Sequence, residues 1–485
     1  MNTSKAKKPE REGSFASSLL AFLVCVAIIL VGVIYMKLAV EIPLALAVMA
    51  VCFYGKFYLH IDYPDMEKSM VRSLSDALGV MLLLLTIGPL MASWIACGTV
   101  PYIIYLGLGM ISPSWYLAFI VLMCAILSTV TGSSWTTMGT IGVAFIGISI
   151  GMHISLPLTA GAILCGAYFG DKISPVSVMV VFNTGIAKVD IMHHCKNLLY
   201  TTVPALCCSI LVFFILGMRY RNEALDASDI NAIRDGLAAQ YNFNPLLWLP
   251  LIAVIVAIVL KVPAVPALWS GVAVAALLAL PMHACSATDF LGYLFNGYSV
   301  NTGSADIDSI LNRGGMVAMF NIIAVVVCSM SFGGVLDRTK ILIKVAEKLA
   351  NLTKGKVGLI VTTLFTGIVS SFVASDPYIA ALIPVKAFEN EYEKRGLDKT
   401  MLSRTVSDGG ICYAPIVPWG SNGVFVSTTL GLATGSFWMF YFMAFFTPLF
   451  TLICAITGFG IENSDGTKGR KHKKPKRMAE AEADA

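Results

Sequence analysis

Residues 115–150, WYLAFIVLMCAILSTVTGSSWTTMGTIGVAFIGISI, decide the predicted fold. The stretch is apolar apart from a centre rich in Ser, Thr and Gly, at residues 128–135. One spanning helix needs about 20 residues, so the stretch is too long for a single straight span. The flanking segments 98–114 and 151–156 contain no Lys or Arg, which is typical of external segments. The stretch therefore predicts a helical hairpin that enters the membrane from outside and returns, with its tip at the polar centre.

A second interrupted stretch, residues 357–388, lies between two basic segments. Residues 337–356 contain six Lys or Arg and residues 386–404 contain five. Basic residues that flank membrane helices are retained in the cytoplasm, so both ends of this stretch are predicted to be cytoplasmic. It therefore predicts a second hairpin of opposite orientation, with its tip at residues 370–378.

Each predicted hairpin is followed by an apolar stretch that polar residues and proline interrupt. Residues 157–186 are broken at 170–175, and residues 405–433 are broken at 414–423. Matched pairs of hairpins and breaks in opposite orientation are the sequence signature of inverted repeats in transporters. Ordinary kinked helices are the alternative, because Gly and Pro are frequent in membrane helices.

Composition places the chain in a membrane, because 57% of its 485 residues are hydrophobic and only 13% are charged. The predicted fold is an all-α integral membrane protein of about ten spans plus the two hairpins, in two inverted repeats with both termini in the cytoplasm. The predicted uninterrupted spans are 15–36, 38–54, 77–97, 198–218, 245–260, 264–281, 314–335 and 436–460. The predicted divisions are a disordered cytoplasmic tail (1–14), a first membrane repeat (15–218), an external loop (219–244), a second membrane repeat (245–460) and a disordered basic tail (461–485).

The interrupted segments also predict what the chain does. Irregular backbone at membrane depth is tolerated where it lines a cavity, and the ends of broken helices attract ions. The sequence contains no HExxH, GxSxG or Walker A motif and no Cys/His cluster at metal-ligand spacing. It therefore predicts a secondary active transporter in membrane lipid, not an enzyme, with no cofactor, structural metal or nucleic-acid partner. A membrane scaffold or receptor that transports nothing is the alternative from another class.

Three carboxylates near the breaks are the predicted ion-binding groups, because a charge inside the membrane is costly unless it is paired or functional. A sodium ion or a proton is predicted at Asp376, with a helix cap as the alternative, since Pro377 suits the first position of a helix. Asp171 is the second predicted ion ligand, with an ion pair to the adjacent Lys172 as the alternative. Asp408 lies near the predicted cytoplasmic boundary, where a structural or gating role is favoured over a ligand.

Hydroxyl and amide groups complete the predicted site, because hard cations bind several oxygen atoms. The predicted supporting ligands are Ser133, Ser134, Thr136, Ser174, Ser177, Asn183, Ser371, Ser375, Ser421 and Asn422. The two amides have an alternative role, which is to satisfy backbone groups freed by the breaks. His193 and His194 are predicted to lie at a solvated boundary and not in a proton relay.

Several motifs resemble the NhaC-type sodium/proton antiporter family over residues 75–460. They are Gly98-Thr-Val-Pro101, Thr131-Gly-Ser-Ser-Trp135, Gly166-Ala-Tyr-Phe-Gly-Asp-Lys-Ile-Ser-Pro175, Arg313-Gly-Gly-Met316 and Tyr392-Glu-Lys-Arg-Gly396. The resemblance implies a multi-pass protein of the bacterial inner membrane that exchanges sodium ions and protons, or organic acids with those ions. It also implies paired hairpins, inverted repeats and a transport domain that moves past a scaffold, an architecture that often forms homodimers.

One departure from the family pattern lies directly after the first break. The family pattern continues with serine, an acidic residue, two threonines and an asparagine, whereas Ser177 is followed here by Val178, Met179, Val180 and Val181. The acid at Asp376 is retained. The lost acid and hydroxyls favour a second predicted function, an ion-coupled carrier or exchanger of a small organic acid or amino acid, beside sodium/proton antiport.

Overall fold

The computed structural model describes residues 10–110, 112–221, 227–260, 262–282, 285–353, 355–374 and 376–469. Within these residues the regular structure is helical, apart from two isolated β-bridges. The α-helices are α1 (Phe15–Leu30), α2 (Glu41–Phe53), α3 (Tyr63–Ala96), α4 (Thr99–Met110), α5 (Pro113–Thr131), α6 (Ser134–Thr137), α7 (Val143–Gly151), α8 (Leu156–Ile173), α9 (Val178–Ala187), α10 (Ile191–Gly217), α11 (Ala227–Gln240), α12 (Leu249–Val259), α13 (Ala264–Met282), α14 (Ala287–Asn296), α15 (Ala305–Leu311), α16 (Met316–Thr339), α17 (Ile341–Leu352), α18 (Gly355–Ala374), α19 (Pro377–Lys394), α20 (Lys399–Val406), α21 (Ser421–Leu430), α22 (Thr434–Phe437) and α23 (Met443–Thr457).

The helices have the lengths and composition of membrane spans. Among the described residues, eight are long and apolar enough to cross a membrane, and up to eleven spans result if each of three bent helix pairs is one span. The predicted all-α membrane fold is thus confirmed, and this count includes helices of both predicted hairpins, which were predicted in addition to the ten spans.

The first hairpin is built by α5, α6 and α7. Its arms are antiparallel, because Ser149 near the end of α7 donates a hydrogen bond to the hydroxyl of Tyr116 near the start of α5 (3.1 Å). The turn is made by Gly132, whose φ is +65°, a conformation that glycine adopts without steric cost. A Cβ atom there would also lie 2.7 Å from the side chain of Val176, so only glycine lets the tip approach the neighbouring break.

The second hairpin is built by α18 and α19. The guanidinium of Arg395, after the end of α19, donates to the carbonyl of Gly355 at the start of α18 (2.7 Å). The two arms therefore begin and end on the same side of the molecule. The predicted ligand Ser375, in the tip between the two arms, lies outside the described residues.

The first broken helix is α8 followed by α9, bent by 46° at residues 174–177. It packs along the first hairpin through Gly166 and Gly170, which are one helical turn apart. A Cβ atom at Gly170 would lie 2.3 Å from the backbone nitrogen of Thr129, and one at Gly166 would lie 2.3 Å from the carbonyl oxygen of Val121. Two small residues at this spacing let helix backbones touch in a membrane, which explains the glycines of the quoted motif.

The second broken helix is α20 followed by α21. Between them the chain forms a π-helix over Ser407–Ile411, a 3-10 turn over Ala414–Ile416 and an extended break. Each hairpin is thus followed by an interrupted helix, as predicted, and π-helical turns are frequent at functional sites.

The basic segments meet on one side of the molecule, which we call the basic face. It is formed by residues 10–14, 188–193, 337–353, 355–356, 394–399 and 461–469. Polar contacts join them: Glu10 to Arg338 (2.7 Å), Glu12 to Lys344 (3.1 Å), Lys356 to Asn463 (2.6 Å) and His193 to Glu462 (2.7 Å). Helix α3, with 34 residues, leads about 50 Å away from this face. On the opposite face Ser155 contacts Tyr220 (3.3 Å) and Arg313 contacts Leu430 (3.3 Å).

Some segments that were predicted as loops or tails have regular structure. Helix α4 lies in the predicted external segment 98–114, and α11 lies in the predicted external loop 219–244. Residues 461–469 of the predicted C-terminal tail form a loop that pairs with Leu397 through Asn463. The remainder of both predicted tails, 1–9 and 470–485, lies outside the described residues.

Candidate functional site

Asp171 lies at the end of α8, half-buried at the first break. One of its carboxylate oxygens accepts a hydrogen bond from the hydroxyl of Ser134, at the first hairpin tip (2.6 Å). The other accepts from the hydroxyl of Ser177, on the far side of the break (2.6 Å). Two separate elements therefore place hydroxyl groups around one carboxylate.

The two serines of the break have different partners. Ser177 also caps α9, since its Oγ accepts from the backbone N–H groups of Met179 (3.1 Å) and Val180 (3.4 Å). Ser174 donates instead to the carbonyl of Thr129 in α5 (2.8 Å). Ser177 thus belongs to the carboxylate cluster, whereas Ser174 ties the break to the first hairpin.

The other predicted hydroxyls of the first tip bond within the tip. Ser133 caps α6 by accepting from the backbone N–H of Thr136 (3.1 Å), and the hydroxyl of Thr136 donates to Ser133 Oγ (3.0 Å). The hydroxyl of Thr137 donates to the carbonyl of Ser133 (3.0 Å). These groups shape the turn that presents Ser134.

At the second tip, Asp376 is buried and caps α19. Its Oδ1 accepts from the backbone N–H groups of Tyr378 (2.9 Å) and Ile379 (3.2 Å), which is the helix-cap alternative raised by the sequence. Ser371 donates to the carbonyl of Gly410 in the π-helix (2.8 Å). The second tip therefore contacts the second broken helix, as the first tip contacts the first.

The two halves of the chain also contact each other here. The amide oxygen of Asn422 in α21 accepts from the indole N–H of Trp135 (2.7 Å) and the hydroxyl of Tyr168 (2.8 Å). On the other side, the rings of Phe182 in α9 and Tyr378 in α19 pack edge to face at 4.9 Å. The predicted ligand Ser421 is buried at the start of α21. These contacts bring both hairpin tips and both broken helices together.

Lys172 forms a buried ion pair with Asp408. Asp408 also accepts from the hydroxyls of Thr201 (3.2 Å) and Thr451 (2.6 Å). The alternative ion pair between Asp171 and Lys172 is therefore wrong, because successive helical side chains point in different directions. Asp408 is fully buried and engaged by three groups, which suits a structural role and not an ion ligand.

A second polar cluster lies between α9, α10 and α20, away from Asp171. Asn183 belongs to it and donates to the carbonyl of Ser403 (2.9 Å) and the hydroxyl of Ser407 (2.6 Å). His194 is fully buried and hydrogen bonds Ser403 (2.9 Å), so the predicted solvated boundary is wrong for His194. His193, one residue earlier, is exposed on the basic face.

Arg404 is the residue of this cluster that the sequence reasoning missed. Its guanidinium is fully buried and donates to the amide oxygen of Asn197 and the carbonyl of Gly460, both at 2.8 Å. The sequence does contain a signal for this role. Arg404 borders the apolar stretch 405–433, and an arginine at such a position needs polar partners if it is buried.

A small cavity separates the two breaks, and its volume is about 10 Å³. It is lined by Tyr168, Asp171, Lys172, Ile411, Cys412, Tyr441 and Met443. A cavity of this size has room for about one water molecule.

Comparison with known proteins identifies the class of molecule. The Na+/H+ antiporter family matches residues 166–459, which contain both breaks and the second hairpin. The chain is 33% identical to the Na(+)/H(+) antiporter NhaC of Alkalihalophilus pseudofirmus, over 93% of this chain and 97% of that protein. It is 30% identical to the malate-2H(+)/Na(+)-lactate antiporter of Bacillus subtilis (91% and 95%) and 29% identical to the arginine/ornithine antiporter ArcD of Halobacterium salinarum (94% and 95%). The chain therefore belongs to the Na+/H+ antiporter family and is a multi-pass membrane secondary transporter, not an enzyme.

Proposed function

We propose that the chain exchanges sodium ions for protons, and that both ions bind in turn to Asp171. The observation that carries this proposal is the pair of hydroxyls, from Ser134 and Ser177, that meet the two oxygens of one carboxylate (2.6 Å each). The cavity that Asp171 helps to line has a volume of about 10 Å³ and is too small for an organic acid.

The exchange follows from the chemistry of these groups. A hydroxyl rotates freely between donor and acceptor roles, so both serines turn their lone pairs to a sodium ion that binds the carboxylate. A cation beside a carboxylate favours its ionised form, and sodium binding therefore expels a proton from Asp171. The negative end of α8 adds to the attraction for a cation.

Asp376 is proposed as an auxiliary carboxylate of the same site. It is buried at the second tip, and Tyr378, whose backbone N–H it caps, packs on Phe182 of α9 in the first broken helix (4.9 Å). Because its Oδ1 caps α19, we assign sodium coordination to Asp171 first, and to Asp376 only through its second oxygen.

We further propose that the protein lies in a bacterial inner membrane with the basic face in the cytoplasm. Both the ends of the second hairpin and residues 10–14 lie on this face, and segments rich in Lys and Arg are retained inside. The inverted relation of the two halves, the domain divisions and a homodimer remain predictions.

Transport in proteoliposomes with a trapped pH dye tests the proposed exchange. We expect a pulse of external sodium to raise the internal pH by driving protons out as sodium enters. If sodium, lithium and potassium all leave the internal pH unchanged, sodium/proton exchange is wrong for this chain.

Variants at the site test the assignment to Asp171. Asp171→Asn removes the charge with little change of shape, so we expect the sodium-dependent pH change to disappear. Ser134→Ala removes one ligand, and we expect the KM for sodium to rise about tenfold, since a hydrogen bond to a charged group is worth about 1.5–3 kcal/mol. Thr129→Val is the matched control, because its hydroxyl bonds the carbonyl of Ala125 (2.7 Å) and its KM should stay at the wild-type value.

Exchange of an organic acid or amino acid is the second candidate function. Val178 in place of the family's acid favours it, as do the two relatives named for malate, lactate, arginine and ornithine. Thermal unfolding in sodium-free buffer with each of these four solutes tests it. A solute that stabilises the protein, and that exchanges across proteoliposomes without sodium, would replace the first proposal.

A further inference from the structure

We propose that the basic face carries a binding site for a divalent transition-metal ion such as Zn2+, formed by His193, Asp398 and Glu462. One ligand atom from each residue lies within 4.8 Å of the other two. An imidazole and two carboxylates form a ligand set that suits zinc and its first-row neighbours. Zinc bonds of about 2.0–2.2 Å require only small side-chain rotations to bring these three atoms onto one ion.

The three ligands come from separate segments, two of which are joined by backbone hydrogen bonds. The backbone N–H of Asp398 donates to the carbonyl of Glu462 (3.1 Å), and Ser464 donates to the carbonyl of Gly396 (3.2 Å). These bonds dock the C-terminal loop 461–469 beside the start of α20. Glu462 is therefore held near Asp398 by backbone geometry, whether or not a metal is bound.

His193 is oriented towards the same point. Its backbone N–H is capped by Asp190 (2.8 Å) at the start of α10, and its Nε2 lies 2.7 Å from Glu462 Oε2. Its Nδ1 lies 3.4 Å from the hydroxyl of Thr400. A metal ligand histidine usually bonds a second group through its other ring nitrogen, which fixes the ring orientation. On binding, the ion takes the place of the hydrogen bond between His193 Nε2 and Glu462 Oε2, and the imidazole binds as the neutral tautomer that keeps its proton on Nδ1.

The neighbouring charges leave these ligands accessible to a cation. Lys399, next to Asp398, pairs with Glu389 and Glu393 at 2.8 Å each. Lys468 lies 3.5 Å from Oε1 of Glu462, the oxygen that does not face His193. With a neutral imidazole the three ligands carry two negative charges, which match a divalent ion.

Solvent reaches the site through a cavity of about 430 Å³ on the basic face. His193, Asp398 and Thr400 line it, together with Lys188 and Asp190. The cavity admits a hydrated ion and leaves room for water in the remaining coordination positions, as in three-ligand zinc sites.

Occupation of this site would join segments that adjoin both broken helices. His193 lies in the first turn of α10, which follows α9, and Asp398 caps α20, which continues into the π-helix at Ser407. A bound ion would therefore restrain the starts of α10 and α20 and the loop 461–469 relative to each other. The site is separate from Asp171, so failure of sodium/proton exchange would leave this proposal untouched.

Metal titration of the full-length protein tests the site. The protein is purified without a polyhistidine tag, and thermal unfolding is followed with Zn2+ while visible absorption is followed with Co2+. We expect Zn2+ to raise the unfolding temperature and Co2+ to give an absorption band. His193→Asn and Glu462→Gln should each weaken metal affinity about tenfold or more. Protection of residues 461–469 from hydrogen exchange should also increase with Zn2+ in the wild type alone.

His153→Asn is the matched control, because His153 is an exposed histidine between α7 and α8, away from the basic face. It should bind Zn2+ as the wild type does. If a variant unfolds without metal, Asp398→Asn replaces it, since the amide oxygen still caps the backbone N–H of Thr400. Absence of a Zn2+ response in the wild type, or equal affinity in the wild type and the ligand variants, would leave only a surface hydrogen bond between His193 and Glu462.

Discussion

Val178 is the first residue of α9 and 64% exposed, directly after the serine that bonds Asp171. In the family pattern an acid stands at this position, where the positive end of a helix stabilises a negative charge. With valine at this position, the hydrogen-bond partners of the Asp171 carboxylate are the hydroxyls of Ser134 and Ser177. Because position 178 is exposed while Ser177 is buried, the missing acid would lie at the mouth of the site and not at its centre.

Val178→Asp is therefore expected to strengthen sodium binding without creating the site. A charge at a helix N-terminus is stabilised by about 0.3–1 kcal/mol, and a second carboxylate raises the local concentration of cations. We expect the KM for sodium to fall about two- to fivefold, measured by sodium-driven pH change in proteoliposomes.

Val181→Asp is the control for this substitution. Val181 is also an exposed valine of α9, at 48%, but it lies about one turn farther from the helix N-terminus. It should leave the KM for sodium unchanged. An equal fall in both variants would mean that added charge anywhere on α9 is sufficient.

The buried pair of Lys172 and Asp408 connects the end of α8 to the π-helix that follows α20. Removing one partner of a buried ion pair leaves the other charge uncompensated, at a cost of about 3–5 kcal/mol. We therefore expect Asp408→Asn to lower the free energy of unfolding by about that amount. Denaturant unfolding in detergent measures it.

The double variant Lys172→Met, Asp408→Leu shows whether stability is lost because one charge stays buried without a partner or because the ion pair itself is missing. Replacing a buried pair with apolar residues of similar volume is often neutral or stabilising, so most of the lost stability should return. If Asp408→Asn differs from the wild type by less than about 0.5 kcal/mol, the pair does not hold the two broken helices together.

Hydropathy and charge predicted which helices and hairpins exist better than they predicted where each begins and ends. The first hairpin was expected over residues 115–150 and is formed by α5 to α7, from Pro113 to Gly151. Helix α3, in contrast, was expected from residue 77 and begins at Tyr63. Its first turns contain charged residues, which hide a helix from a search for apolar spans but are tolerated where the helix leaves the membrane.

Side-chain partners that lie far apart in the sequence were beyond prediction. An ion pair with the adjacent Asp171 was the alternative considered for Lys172, because nothing in the sequence shows that Asp408 lies closer in space. The same limit applies to His193, Asp398 and Glu462, which have no metal-ligand spacing and meet only because the C-terminal loop docks beside α20. Asp376, by comparison, caps α19 as the adjacent proline indicated, since caps depend on local sequence.

For the whole molecule, the two hairpins open on different faces. The first begins and ends near Ser112 and Gly151, next to the sequence segments 98–114 and 151–156, which contain no Lys or Arg, and the second begins and ends on the basic face. If the chain crosses the membrane along α3 and α16, the hairpins enter from opposite sides. Two inverted repeats require this arrangement. It also predicts on which side of the membrane a given residue lies.

Labelling of single cysteines with a membrane-impermeant maleimide tests this arrangement in cells of a bacterial host. Ser112→Cys lies before α5 and Lys348→Cys lies in α17, and both side chains are exposed. In a background without the twelve native cysteines, which serves as the unlabelled control, we expect Ser112→Cys to react in intact cells. Lys348→Cys should react only after permeabilisation, since the basic face is proposed to lie in the cytoplasm. Labelling of both positions from the same side would contradict hairpins of opposite orientation, and exchanged labelling would place the whole molecule the other way round.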